Sequence, residues 1–198
     1  MTRFVLALLL LAGFAVAAPV PKANKAPVYP FAVGTKWEFI RDGDPKKVYV
    51  EEVVESEEKD GVVTFKVNIT TDTGDKMFEK YTLKGGELHV TANANGAFDP
   101  PMLIRKDVMT AGDEWETTWG FKGEGFGYTT DETLSIGKAE ELTTPAGKFT
   151  AYPITRKHKN GIGGTTMWYA DGIGLIRHTE AGQKEPAQEL KSFTPGKK

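Results

Sequence analysis

The chain has 198 residues, 25 Lys+Arg against 27 Asp+Glu, a formal net charge of −2, and no cysteine. The two charge signs are mixed along the chain, which leaves no electrostatic case for nucleic acid or an anionic membrane surface as a partner. Without cysteine there are no disulfides, no thiol catalysis, no thiolate metal site and no lipid-bearing cysteine after a leader.

Residues 1–17 are predicted to be a signal peptide. Arg3 supplies the positive start, an apolar run extends from Phe4 to Phe14, and Ala15-Val16-Ala17 offers the small-x-small pattern read by signal peptidase. The run is shorter than the roughly 20 residues of a bilayer-spanning helix, so no membrane span is expected once the leader is cleaved. Loss of Arg3 takes the charge from −2 to −3. The expected location is the periplasm or the exterior of a bacterium, since eukaryotic secreted domains more often use cysteines. A disulfide-free exported domain must depend on its hydrophobic core, and the remaining chain is long enough to build one.

Residues 18–30 carry Pro19, Pro21, Pro27 and Pro30 without an apolar period, and read as an extended tether. From 31 to 193 a single β domain is expected, because apolar residues alternate with period two. In Val62–Thr70, Val63, Phe65, Val67 and Ile69 face one way and Thr64, Lys66, Asn68 and Thr70 the other. Weaker alternation marks 36–41, 47–54, 76–84, 87–93, 114–121, 127–136, 148–156, 165–170, 175–179 and 189–193. Asp42-Gly43, Asp60-Gly61, Gly85-Gly86, Asn95-Gly96, Asn160-Gly161 and Asp171-Gly172 separate these runs with hairpin chemistry. Residues 194–198 read as a disordered tail. The predicted fold is all-β and antiparallel, a strongly curved sheet or half-open barrel of about ten or eleven strands.

One echo stands out: Gly34-Thr35-Lys36-Trp37-Glu38 recurs as Gly112-Asp113-Glu114-Trp115-Glu116. Each glycine ends a turn and each tryptophan opens a strand, as two related half-sheets would require, although five residues alone are thin evidence of duplication.

The glycines of Trp168–Ile176 (WYADGIGLI) belong to a hairpin. A phosphate-binding loop needs a helix after its glycines so that amide dipoles meet the anion, and here a β-rich run follows. Together with Tyr29–Phe39 (YPFAVGTKWEF) and Thr144–Tyr152 (TPAGKFTAY), this stretch resembles a family of exported bacterial domains of unknown function. That family usually has proline where Asp171 stands. The resemblance covers roughly residues 29–178. It implies a curved half-barrel like that of periplasmic lipoprotein carriers, with a concave apolar face, and it implies no catalytic residues.

Elements of chemistry are sparse. His89, His158 and His178 share no metal-ligand spacing, so no metal or cofactor is predicted, and all three are expected to face solvent. Ser56, Ser135 and Ser192 lie in no nucleophile elbow. Carboxylate pairs for glycoside hydrolysis can be drawn among Glu116, Asp131, Glu132, Glu140 and Glu141, but a chain this acidic always offers such pairs. The sharpest pattern is Trp115, Thr117, Trp119 and Phe121 on one face of a strand, with the indoles about 13 Å apart. Such a stripe packs a core, lines an apolar pocket or stacks on sugar rings.

These observations predict a non-catalytic exported domain that binds an apolar ligand or an envelope protein through Trp115, Trp119, Phe121 and Trp168. A carbohydrate-binding module and a carboxylate-dependent hydrolase are the alternatives.

Overall fold

The computed structural model describes residues 29–161, 163–183 and 185–197. The expected leader and nearly all of the expected tether lie outside the described residues. Thirteen strands form one antiparallel sheet: β1 (Lys36–Arg41), β2 (Asp44–Lys59), β3 (Val62–Thr70), β4 (Lys76–Lys84), β5 (Glu87–Asn93), β6 (Gly96–Lys106), β7 (Glu114–Gly123), β8 (Phe126–Ile136), β9 (Glu140–Thr144), β10 (Gly147–His158), β11 (Thr165–Ala170), β12 (Gly174–Glu180) and β13 (Gln188–Thr194).

The order runs β11-β12-β13-β1-β2-β3-β4-β5-β6-β7-β8-β10-β9, and β10 also pairs with β11. That pairing, Ala151–Arg156 against Thr165–Ala170, closes a ring of twelve strands. The half-open sheet of ten or eleven strands predicted above is therefore corrected to a closed barrel with one strand outside the ring. Closure leaves no free edge around the ring. The extra strand, β9, lies on the same side of β10 as β8. Residues 132–136 pair with the far half of β10 and residues 140–144 with its near half, and between them the Gly137 amide donates to the Pro153 carbonyl.

Two strands were missed in the sequence. β9 is only five residues long. β6 contains Pro100 and Pro101, whose missing amides break the ladder: Ala92 pairs with Ala97 and Val90 with Met102, so residues 98–101 bulge out. Of the predicted hairpin turns, Asn95-Gly96 is shifted by one residue, to Ala94-Asn95, with Gly96 already in β6, while the two Asp-Gly turns that flank β2 hold. Asp42 and Gly43 have φ of 53° and 68°, and Asp60 and Gly61 have 53° and 73°, the paired positive angles of type I′ turns.

The short sequence echo extends into the backbone. The Gly34 amide donates to the Val53 carbonyl and the Val53 amide to Thr35; likewise Gly112 donates to Ile136 and Ile136 to Asp113, all at 2.8–2.9 Å. In each turn the residue after the glycine donates to a carbonyl three back, Thr35 to Ala32 and Asp113 to Thr110. β1 and β7 lie six places apart on the ring of twelve. The barrel is thus two consecutive six-strand meanders, β1–β6 and then β7, β8 and β10–β13. Register carries the correspondence inward. Val53 pairs with Val67 and Val67 with Glu79, as Ile136 pairs with Ile154 and Ile154 with Met167. Tyr81 then corresponds to Tyr169, and each hydroxyl donates to the side chain two residues earlier, Glu79 and Met167.

The inward positions make the core: Trp37, Phe39, Val53, Phe65, Val67, Leu88, Val90, Leu134, Ile154, Ile176 and Leu190 are all at most 3 % exposed. Outward positions such as Lys66 and Lys80 are polar, and the salt bridges Lys66–Glu55 and Lys122–Asp99 lie on the outer surface. The Tyr29 ring is buried in the core and stacks on Phe65 and Tyr81, with Trp37 tilted against it. Within the expected tail, Thr194 ends β13 and the Gly196 amide donates to Thr35 Oγ1.

Candidate functional site: a cavity inside the barrel

Eight strands enclose a space that side chains just fill, whereas sixteen or more leave an aqueous channel. Twelve fall between. Here large rings take up part of the interior and a cavity of about 360 Å³ remains. Its apolar wall comes from Ile69, Met77, Leu88, Val90, Met102, Ile104, Met167 and Leu175. Its polar groups are Tyr29, Tyr49, Tyr81, Tyr169, Glu51, Glu79, Arg41, His178 and Gln188. Tyr29 enters from the segment before β1 and forms the floor. The exposed members, Arg41 and Met77, mark the mouth at the opposite end of β1.

Glu51 and Glu79 stand on the inward parity of β2 and β4, between Tyr49 and Val53 and between Met77 and Tyr81. Burial raises the Glu51 carboxyl from 4.5 to about 8, with the neighbouring Glu79 adding to the effect. Burial also raises Glu79, opposed by the hydrogen bond it accepts from Tyr81. Both carboxyls are held toward their neutral forms. Among the described residues Glu51 has no hydrogen-bond or ion-pair partner, its one charged influence being Glu79, and the buried Tyr49 hydroxyl has no hydrogen-bond partner. Burial lifts the phenols as well, Tyr169 to about 12. It lowers His178, against the pull of Glu180 at 3.2 Å.

Two cations flank this space. Arg41 lies over the Tyr49 ring, 5.7 Å from its centroid. Arg105, 1 % exposed, lies 5.3 Å from the Tyr169 centroid, and its Nε and Nη1 find no partner among the described residues. The ring face offsets part of the cost of burying that charge.

Elsewhere in the barrel, a buried carboxylate is fully matched. Glu132 accepts from Arg156 Nε and Nη2 at 3.1 and 2.6 Å, with His158 Nδ1 at 3.3 Å. Of the other carboxylates considered from sequence, Glu116 is engaged by Lys159, Asp131 by Thr118 and Glu140 by the Trp168 indole, and Glu141 is exposed.

None of the four residues expected to contact a ligand lines the cavity. Trp115 is half-buried against the core with Lys106 Nζ 5.2 Å from its ring. Trp119 and Phe121 are buried in an aromatic group with Phe98, Tyr128 and Phe126. Phe121, exposed Phe126 and half-exposed Tyr128 border an open groove of about 600 Å³ at the β7–β8 tip. Trp168 faces a separate cleft lined by Gly163, Gly164 and Gly182. His178 lines the cavity instead of facing solvent. Glu79 did carry a sequence signal, as a charged residue on the apolar parity of Met77, Tyr81 and Leu83; Glu51 did not, because Val48, Val50 and Val54 make the opposite parity of β2 equally apolar.

The fold and cavity define a closed, all-antiparallel β barrel with a partly polar interior. No family model matches the chain, and no curated protein matches it. Two crystal structures are similar to it in fold. One, from Bacteroides fragilis and described as a "putative exported protein with YmcC-like fold", is 18% identical, with a TM-score of 0.55 over 85% of this chain and 99% of that one. The other, a "putative lipoprotein" from Parabacteroides distasonis, is 17% identical, with a TM-score of 0.56 over 87% of this chain and 100% of its own. At that identity the likeness establishes the fold. Among the described residues no helix is long and apolar enough to cross a membrane.

Proposed function

We infer that this protein is exported and non-catalytic, and that its barrel holds a small amphipathic molecule in the interior cavity. The observation that carries the reading is the cavity itself: about 360 Å³, walled by methionine, leucine, isoleucine and valine, with Tyr49, Glu51 and Glu79 among its polar groups. Binding sites have this composition, an apolar lining with a few convergent polar groups, and this volume lies at the lower end of their usual range. Export is supported by the leader pattern of residues 1–17 and by the descriptions of the two structural neighbours as an exported protein and a lipoprotein. The closed ring shifts the expected ligand contacts from the tryptophan stripe to this interior.

Native mass spectrometry of protein purified from its host tests the reading. A bound small molecule released on denaturation is the expected result. Protein that is ligand-free and takes up no amphiphile from a panel of eight- to twelve-carbon compounds overturns it.

A further inference from the structure

The internal repeat makes the cavity carboxyls conspicuous. Val53 and Ile136 are equivalent, each exchanging the same hydrogen bonds with the turn before β1 or β7. Two residues earlier, Glu51 corresponds to Leu134, and by ladder register Glu79 corresponds to Met167. The second half of the barrel fills these inward positions with apolar side chains, and Leu134 is fully buried. The architecture therefore does not require acids there. Burying a carboxyl costs free energy unless something compensates it. Glu132 shows what compensation looks like in this barrel, with Arg156 and His158 against its oxygens. Glu51 has no such cation among the described residues.

We propose that the cavity is a receptor for an alkylammonium group, with Glu51 as counter-ion, the Tyr49 hydroxyl as an oxygen acceptor and Tyr29 and Tyr81 as the aromatic wall around it. This rests on the reading that the cavity holds a small amphipathic ligand. Each component suits a cation. Glu51 is an unpaired acid facing the cavity, and Glu79, tied to Tyr81, is a second oxygen acceptor close enough to raise it. The Tyr49 hydroxyl is buried with a free lone pair. Phenol rings offer their negative faces to a desolvated ammonium. The alkyl chain would lie along Ile69, Met77, Met102, Ile104 and Met167.

The groups facing Glu51 from the packed elements are Glu79 and Tyr81 on β4, Tyr49 on β2, Tyr29 before β1, and Tyr169 on β11. Arg41 and His178 stand at the mouth, and Arg105 lies behind Tyr169. Because burial and Glu79 push the Glu51 carboxyl up to about 8, an ammonium arriving at pH 7 stabilises the carboxylate and drives off its proton. Binding is then a one-for-one exchange of cation for proton, and net charge inside the barrel is conserved.

The test compares n-octylamine, octan-1-ol and octanoate by isothermal titration calorimetry on the purified protein at pH 7. Titrations run in two buffers of different ionisation enthalpy, so that protons released can be counted. Octylamine is expected to bind at least about tenfold more tightly than the other two, releasing about one proton per ligand. In Glu51→Gln that preference and the proton release should both vanish. Thermal melting verifies that the variant is folded. If octan-1-ol or octanoate binds as well as the amine, or the preference survives in Glu51→Gln, the cation receptor is refuted and the binding barrel stands. If none of the three is taken up, both readings fall.

Discussion

Replacing Glu51 by glutamine should make the protein more stable in neutral and mildly alkaline solution, by an amount that grows with pH. The side chain keeps its size and loses only its ability to ionise. In the unfolded chain the carboxyl titrates at its ordinary value of 4.5, whereas in the barrel burial and Glu79 hold it neutral up to about 8. Below pH 4.5 the group is protonated in both states and contributes no pH dependence. Between 4.5 and about 8 the unfolded chain ionises and the folded one does not, so wild-type stability falls by about 1.4 kcal/mol per pH unit from this group. By pH 7 the loss is about 3 kcal/mol, and above pH 8 it levels near 5 kcal/mol. These are large fractions of the 5–15 kcal/mol typical of a domain. Urea denaturation of wild type and Glu51→Gln at pH 5, 6, 7, 8 and 9 measures the effect. Taking the difference at each pH cancels the titrating groups that do not interact with Glu51. The expected difference widens steadily from pH 5 to 8 and is flat beyond. Parallel curves would mean that Glu51 titrates as a solvated carboxyl and that the cavity does not desolvate it.

Three further outcomes follow from the same geometry. Arg156→Met should destabilise the protein by about 3–5 kcal/mol, because Glu132 is left as an uncompensated buried charge. The double variant Glu132→Leu/Arg156→Met should recover most of that in chemical denaturation, and failure to recover would show a role beyond charge compensation. Tyr29→Ala should cost about 3–5 kcal/mol through lost packing on Phe65, Tyr81 and Trp37; a melting temperature equal to wild type would show that the ring is not the cavity floor. Gly34→Ala and Gly112→Ala place a side chain at φ of 84° and 96°, and no atom lies closer than 4.0 Å to the added methyl in either case. Each should cost about 1 kcal/mol, and sharply unequal losses would contradict the structural equivalence of the two turns.

Local chemistry determined the strands and turns. Lys36–Arg41, Val62–Thr70, Lys76–Lys84, Glu87–Asn93 and Thr165–Ala170 were bounded to the residue by alternation alone, because a half-buried strand must place apolar side chains at every second position. Asp-Gly pairs located hairpins because few other residues accept two consecutive positive φ angles. The echo of Gly34-x-x-Trp37 in Gly112-x-x-Trp115 also marked the two halves of the barrel.

Only the tertiary structure decided closure, since the ladder that joins the first strand to the last, β1 to β13, pairs residues from opposite ends of the domain. Whether the last strands meet the first depends on accumulated twist and stagger, which no local window contains. The same holds for the site. Alternation assigns Glu79 to the inward face and leaves Glu51 undecided, because both parities of β2 are apolar; only strands far apart in sequence bring Tyr29, Tyr169, His178 and Gln188 around the two acids. The tryptophan stripe shows the converse. Its common face was correct, yet Trp119 and Phe121 are enclosed by Phe98 and Tyr128. Burial of a face is a property of what packs upon it, and that partner is chosen by the whole ring.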